Sequence, residues 1–365
     1  MEAVVTLDLP RIGFGCWQLG SKGEDDYWGL EFTQDLANEL VASSCQHGIT
    51  YFDTAEDYAK GQSEIQLGEA LRQLTPGDRK PVLIGSKILP NNCLDVRKHT
   101  EGTLTRLGVE YIDIYMVHWP LSKSAMAHFA SNQTTAAGGR DYSASDPNAV
   151  TDVPAIETCF KDLMKMQAEG KIKHIGVSNF GVKQLSEVLA LGVTVAVNQL
   201  CYNLVFRAVE FEVMPFCLKN NIQVLAYSPL MQGLLTGKWK SAEEVPVYRA
   251  RSRHFDSAKN PKSRHGEAGQ EDLLFETLSR IEGISVKTGI PMVTLATSWV
   301  LHRPGVSCVI AGATSLKQVE SNAAAASILL PEDVVQELCE ATDDLKQAMG
   351  KNCDLWQGGT DSRIE

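Results

Sequence analysis

The sequence predicts a parallel (β/α)8 barrel, a TIM barrel with an N-terminal hairpin and long loops at its C-terminal face, and three observations carry that prediction. Eight short β-branched apolar runs recur along the chain, most of them followed by a stretch of helical periodicity. Parallel neighbours need helical crossovers, so such alternation implies a parallel sheet. The 365 residues suit one large barrel with insertions, and no linker or composition break divides them.

In chain order, the strands are expected near Ile12 to Cys16, Ile49 to Asp53, Val82 to Lys87, Ile112 to His118, His174 to Ser178, Val195 to Gln199, Gln223 to Ser228 and Val306 to Ile310. Helices are expected over Asp35 to His47, Ser63 to Leu74, Asp95 to Leu107, Ala155 to Gly170, Val182 to Leu191, Val209 to Asn220, Met292 to His302 and Leu316 to Ala326. Each carries apolar residues at three- and four-residue intervals; Ile156, Phe160, Leu163 and Met164, for instance, share one face. Before the first strand, Val4 to Arg11 suggests a hairpin closing the barrel's bottom, with Asp8 and Pro10 near its turn. Residues 1–365 are thus expected to form one barrel domain with a core over about 10–326 and a C-terminal extension over 331–365 that begins with an amphipathic helix. Two insertions, over about 122–153 and about 232–269, interrupt the repeat. Both follow a strand, so both belong at the C-terminal face, where barrel enzymes keep their active sites.

Composition narrows the function classes. Acidic residues outnumber basic ones by 45 to 34, a net charge of -11, which disfavours sequence-independent nucleic-acid binding. The start, MEAVVTLDLP, has no basic n-region and no long apolar h-region, so it does not read as a secretory signal. No apolar stretch approaches the ~18 residues of a membrane helix. The cysteines are scattered with no Cys-x-x-Cys pair, as expected of reduced thiols in a cytoplasmic protein. The histidines form no His-Glu-x-x-His or similar spacing, and no metal site is expected.

The most informative pattern lies at the strand ends. Asp53, Lys87, His118, Ser178 with Asn179, Gln199, and Tyr227 with Ser228 stand where predicted strands finish. A barrel brings those ends to one mouth, so side chains far apart in sequence become neighbours. Each alone has a bland reading as a cap or a solvated charge; an Asp, a Lys and a His at three successive strand ends do not share one easily.

Several ordered motifs around these positions resemble the aldo-keto reductase family. They are Asp53-Thr54-Ala55-Glu56-Asp57-Tyr58, Gly61-Gln62-Ser63-Glu64, Gly85-Ser86-Lys87, His118-Trp119-Pro120 and Ile175-Gly176-Val177-Ser178-Asn179-Phe180. Asn198-Gln199, Tyr227-Ser228-Pro229-Leu230, Gly233-Leu234-Leu235-Thr236-Gly237-Lys238 and Ile310-Ala311-Gly312-Ala313 continue the likeness over roughly residues 10–326. The resemblance implies a barrel reductase using a nicotinamide cofactor without a Rossmann domain. No strand here leads into a Gly-x-Gly-x-x-Gly turn opening a helix, which agrees.

The chemistry of the residues then suggests roles. Reduction of a carbonyl needs a proton donor at oxygen, and Tyr58 is the candidate acid. Lys87 beside it is expected to lower the phenol pKa, Asp53 to hold and neutralise the lysine, and His118 to orient the carbonyl. By resemblance these four match the family's catalytic tetrad. Likewise Ser178, Asn179 and Gln199 match the ligands of a nicotinamide carboxamide, and Tyr227 offers its ring as a stacking face. Ser228 to Lys238, with Leu230, Gly233 and Leu235, is expected near the pyrophosphate. Gly312, Thr314, Ser315, Gln318, Ser321 and Asn322 open the last barrel helix, where Lys317 or the arginines of the second insertion add charge for an adenosine 2′-phosphate. One branch of the family places Lys and Arg where Gly312 and Gln318 stand; others with Ser and Gln there still take NADPH. NADPH (NADP+) is therefore the expected cofactor, with NADH as the alternative.

For the substrate, Cys16, Trp17, Trp28 and Trp119 suggest aromatic walls, and the first insertion adds His128, Phe129, Arg140 and Tyr142. Arg249, Arg251 and Arg253 of the second insertion are candidates for a substrate carboxylate or phosphate, for the cofactor phosphate, or for plain solvation. The expected reaction is hydride transfer to an aldehyde or ketone, a sugar-derived carbonyl or a keto acid, by a monomer or small homo-oligomer with neither nucleic-acid nor membrane partners. Three alternatives come from other classes: a slow NADP-binding regulatory subunit on the same barrel, a Schiff-base aldolase using Lys87, and a structural protein. The aldolase needs a depressed lysine pKa, which Asp53 opposes.

Overall fold

The computed structural model describes residues 7–22, 31–74, 81–130, 150–359 and 362–364. Its eight strands are β1 (Ile12–Gly15), β2 (Tyr51–Asp53), β3 (Leu83–Ile88), β4 (Ile112–Val117), β5 (Ile172–Ser178), β6 (Val195–Cys201), β7 (Gln223–Tyr227) and β8 (Val306–Ala311). Each pairs in parallel with the next and β8 pairs with β1, which closes the barrel in sequence order. All eight expected strands are therefore present, displaced by at most two residues at their ends.

Helices α1 (Gln34–Gln46), α2 (Gln62–Gln73), α3 (Val96–Leu107), α5 (Ile156–Ala168), α6 (Val182–Ala190), α7 (Val213–Lys219), α9 (Met292–Leu301) and α10 (Leu316–Ala326) are the eight expected helices. Their starts show local causes: the Thr33 hydroxyl accepts from Leu36 N at 3.2 Å and the Asp95 carboxylate from Lys98 N at 3.1 Å. Three further helices are α4 (Lys123–Ala130) in the first insertion, α8 (Glu271–Thr288) and α11 (Glu332–Met349). The amphipathic start of the tail anticipates α11, but α4 and α8 are additions to the strand–helix repeat. In α8 the buried Leu274, Leu278, Ile281 and Ile284 form one stripe, and the helix stops at left-handed Gly289. It packs on α11.

Inside the barrel, Tyr51, Ile114, Met116, Val197, Leu225 and Ile310 form a core separate from the larger one between strands and helices. Room for Tyr51 exists because residue 85 is glycine; a Cβ there would lie 2.1 Å from the tyrosine hydroxyl. Leu7 and Leu9 pack against the bottom of this inner core, and Gln223 bonds both backbone atoms of Leu7, at 3.1 and 3.2 Å. The hairpin expected over 4–11 lies partly outside the described residues, and its described part forms no strand. That part is pinned instead by side-chain bonds to β7. No single helix among the described residues is long and apolar enough to cross a membrane.

The second insertion and the tail are folded against each other. Arg253 donates to the carbonyl oxygens of Met349 and Asn352 at 3.1 and 3.0 Å, and its own amide donates to Leu355 O at 3.0 Å. Buried His254 reaches Val205 O at 2.8 Å; burial drives its pKa down to about 4, so it is a neutral strut. Beyond α11 the chain turns back across the barrel, burying Asp354, Leu355 and Arg363.

Candidate active site

The C-terminal strand ends meet at the mouth in one hydrogen-bonded network. Lys87 Nζ, fully buried, donates to Asp53 Oδ2 at 2.7 Å, to Thr54 O at 2.8 Å and to the Tyr58 hydroxyl at 3.2 Å. Strand register makes this possible, because Asp53 sits opposite Gly85 and Lys87 follows two residues on, facing the same side. Tyr58 leaves the loop after β2 on a short 3-10 turn in which Ala59 and Lys60 both adopt left-handed backbone (φ 47° and 56°). Two such residues store backbone strain, and the surroundings hold them there. Part of that hold is Glu56, whose carboxylate accepts from Leu89 N and Asn92 Nδ2, each at 2.8 Å, and meets His99 Nδ1 at 2.7 Å.

The other strand ends join the same network. Gln199 Nε2 donates to Asp53 Oδ1 at 2.7 Å. Ser178 Oγ donates to Gln199 O at 3.1 Å, and Asn179 Nδ2 donates to His118 O at 3.2 Å. The Tyr227 hydroxyl donates to Asn179 Oδ1 at 2.9 Å. His118 closes the circle, its ring lying edge-on to Tyr58 with centroids 5.7 Å apart. An ionised Asp53 only accepts, so the Gln199 amide must present its nitrogen there and keep its oxygen for another donor.

Electrostatics decide what the phenol can do. Burial raises the Tyr58 pKa, Lys87 lowers it, and Asp53 raises it again, with the balance above the ordinary value of 10.0. Lys87 acts on the phenol in the expected sense, while burial and the Asp53 charge outweigh it. For Lys87 burial opposes the charge, yet Asp53 and Tyr58 hold the ammonium above its usual pKa. A protonated phenol held by a permanent cation is an acid ready to donate.

The remaining expected residues fall into three groups. Trp17 and Trp119 stand at the mouth, Trp17 6.4 Å from the Tyr58 ring and Trp119 6.3 Å from Phe129, which itself stacks on His118. Trp28, Arg140 and Tyr142 lie outside the described residues. At the turn after β7, Ser228 and Leu230 are half-buried and Lys238 is exposed, its Nζ 4.0 Å over the Trp239 ring. The backbone N–H groups of Gly233 and Leu235 both donate to Leu230 O, at 2.9 and 3.2 Å. The short 3-10 turn thus closes on itself at these two positions. Around the start of α10, Ser315, Gln318 and Ser321 are exposed, while Gln318 Oε1 accepts from Thr314 N at 2.7 Å and Asn322 Nδ2 donates to Gly312 O at 3.3 Å. Arg253 is a buried tie to the tail and to Glu267, so it is withdrawn as a ligand for substrate or cofactor phosphate.

A pyridine dinucleotide fits this donor set at two points: the carboxamide cluster of Ser178, Asn179 and Gln199 beside Tyr227, and the exposed N-terminus of α10. Sequence reasoning missed the tail. Asp354, Trp356 and Arg363 reach the mouth beside Trp119. The signal was available in Cys353-Asp354-Leu355-Trp356, an apolar and aromatic run that a solvated tail has no use for.

A closed parallel barrel whose mouth sets a phenol against a carboxylate-bound ammonium defines a class, the barrel oxidoreductases. The chain belongs to the aldo/keto reductase family, whose model matches residues 11–343. It is similar to the NADH-specific methylglyoxal reductase of Escherichia coli, 28% identical over 92% of this chain and 97% of that one. It is also similar to the aldo-keto reductase YhdN of Bacillus subtilis, 31% identical over 86% of this chain and 84% of the relative. Among solved structures, an aldo/keto reductase from Klebsiella pneumoniae in complex with NADP and acetate superposes with a TM-score of 0.62 at 25% identity, covering 91% of each chain. The chain is accordingly an NAD(P)H-dependent carbonyl-reducing oxidoreductase.

Proposed function

We propose that this chain reduces an aldehyde or ketone with Tyr58 as general acid and NADPH as preferred cofactor, NADH being the alternative. The observation that carries the reading is Lys87 Nζ bonded at once to Asp53 and to Tyr58. When bound, the nicotinamide supplies a hydride to the carbonyl carbon. Tyr58 gives its proton to the carbonyl oxygen, Lys87 stabilises the phenolate that remains, and Asp53 keeps the lysine charged and in place. His118 orients the oxygen towards Tyr58. Ser178, Asn179 and the free oxygen of Gln199 hold the carboxamide, and the Tyr227 ring backs the nicotinamide. Gly312, Thr314, Ser315, Gln318, Ser321 and Asn322 border the adenosine end, with Lys238 towards the phosphates. Trp17 and Trp119 wall the substrate. Nine free thiols support a reducing, cytoplasmic setting, with the whole chain acting as one barrel unit.

Tyr58→Phe tests the assignment. Turnover, read as loss of NADPH absorbance, is expected to fall by at least about a hundredfold, while NADPH binding read by protein fluorescence is retained. Because the phenol pKa lies above 10.0, the wild-type reductive rate is expected to hold through neutral pH and to decline only beyond that value. Full turnover in the Phe variant sinks the role of Tyr58, and a lower KM for NADH than for NADPH reverses the cofactor preference.

A further inference from the structure

The tail places a second buried cation at the mouth. Arg363 is 1% exposed, and its guanidinium carbon lies 3.7 Å over the ring of Trp119, the residue after His118. Its Nε and Nη2 both donate to Asp354, each at 2.7 Å, and its backbone N–H adds a third bond at 3.1 Å. Asp354 is fully buried and also accepts from Trp356 N at 3.0 Å and Gln357 N at 3.3 Å. Five donors make it a fixed clamp.

A guanidinium carries five N–H groups. Asp354 takes one on Nε and one on Nη2, which is one edge of the fork. The end-on edge, Nη1 with the second N–H of Nη2, has no partner among the described residues. This edge is shaped for two oxygens of one carboxylate. Trp119, on which the guanidinium stacks, packs with Leu89, Phe129 and Trp356 in one apolar cluster, and a low-polarity setting strengthens charge pairing. Burial raises the Tyr227 phenol pKa and the Arg363 charge pulls the other way, so the guanidinium is within electrostatic reach of the strand-end network.

We propose that Arg363, clamped by Asp354 and stacked on Trp119, is a specificity residue that binds a carboxylate on the substrate, so that the preferred substrates are carbonyl compounds carrying an acid group. This rests on the reductase reading above and names its substrate class.

The test compares succinate semialdehyde with its methyl ester, the same aldehyde with and without the charge. With the wild-type full chain and NADPH, kcat/KM is expected to favour the acid by about tenfold to a hundredfold, the discrimination of a charged hydrogen bond. Arg363→Lys keeps a charge for Asp354 but loses the fork, and the double variant Arg363→Gln with Asp354→Asn keeps a neutral pair in the same place. Both are expected to lower the acid-to-ester ratio at least tenfold, chiefly through KM for the acid. Equal use of acid and ester by the wild type, or equal losses on both substrates in both variants, overturns the proposal. Calorimetry with succinate as probe reads the site without turnover. Binding that Arg363→Lys abolishes supports the site even if neither aldehyde is reduced, an outcome that would instead remove the reductase reading; absence of succinate binding overturns the site.

Discussion

Two buried cation–carboxylate pairs face the same mouth, Lys87–Asp53 and Arg363–Asp354, both 2.7 Å apart and both nearly without exposure. Their construction differs. Lys87 and Asp53 come from neighbouring strands and are placed by barrel register, whereas Arg363 and Asp354 lie nine residues apart on one folded-back tail. Their donor arithmetic differs too. The ammonium has three N–H groups, and Asp53, Thr54 and Tyr58 take them all. The guanidinium has an edge left over. A saturated cation on a rigid frame suits the tuning of one phenol, and an unsaturated one on an appended segment suits recognition. The difference teaches where this molecule separates chemistry from choice of substrate.

The largest effect is expected from breaking the barrel pair. Lys87→Met removes the cation beside Tyr58 and leaves Asp53 buried with the Gln199 amide at 2.7 Å and the Tyr51 hydroxyl at 3.5 Å as its side-chain donors among the described residues. Reductive turnover should fall by about a thousandfold, and stability by about 3–5 kcal/mol, because an uncompensated buried charge remains. Adding Asp53→Asn should restore much of the thermal midpoint and none of the rate. That split, read by NADPH absorbance and calorimetry, separates the pair's chemical weight from its structural weight; a Lys87→Met enzyme that still turned over would dissolve the distinction between the two pairs.

The two pairs were not equally legible. Asp53, Lys87, His118, Ser178, Asn179, Gln199 and Tyr227 stand out because a strand that ends on a polar group interrupts an apolar run, and barrel closure does the rest. All eight strands follow from β-branched runs for the same reason. The helix α8 was hidden because it sits between β7 and α9, adding to an alternation that seemed complete, and it packs on α11 rather than on a strand. Arg363 was hidden for a different reason. Its significance comes from a chain reversal held by Asp354 and by Arg253 contacts to carbonyl oxygens, and no periodicity announces a bond between a side chain and a distant carbonyl. Closed amides at Gly233 and Leu235 belong to the same category, since a turn's internal bonding depends on its φ and ψ angles rather than on which residues allow them.

A third pair sharpens the comparison by having weight in stability alone. Glu210 accepts from Arg207 Nε and Nη2, both at 2.9 Å, from the Tyr202 hydroxyl at 2.6 Å and from Lys346 at 2.8 Å, tying the loop after β6 to α11. Burial pushes its pKa up, but Arg207, with Lys346 and Tyr202, holds it at about 2. Its folded pKa is below the ordinary 4.5, so its stabilisation is complete above that value and is lost as pH falls through about 2. The gap corresponds to about 3 kcal/mol. Glu210→Gln should cost about that much in urea unfolding at neutral pH, lose much less than the wild type on acidification, and leave the acid-to-ester preference where it was. A change in that preference would mean that the loop after β6 and the mouth are not independent.

The smallest effect is expected where the same charges meet in solvent. Arg97 bonds Glu169 and Glu101 between α3 and α5, with 47% of its side-chain surface exposed and 39% of that of Glu169. The hydrogen bond to Glu169 lifts the arginine pKa further above its ordinary range, which changes nothing at neutral pH because the group is charged in any state. Water screens the pair, and two long side chains lose rotamer freedom to form it. Arg97→Ala should therefore leave the thermal midpoint and both substrate constants indistinguishable from wild type, at low salt as well as high. If it destabilised the chain as much as Glu210→Gln, burial would no longer explain why the mouth pairs carry weight, and the contrast between Lys87 and Arg363 would have to rest on their unequal donor counts alone.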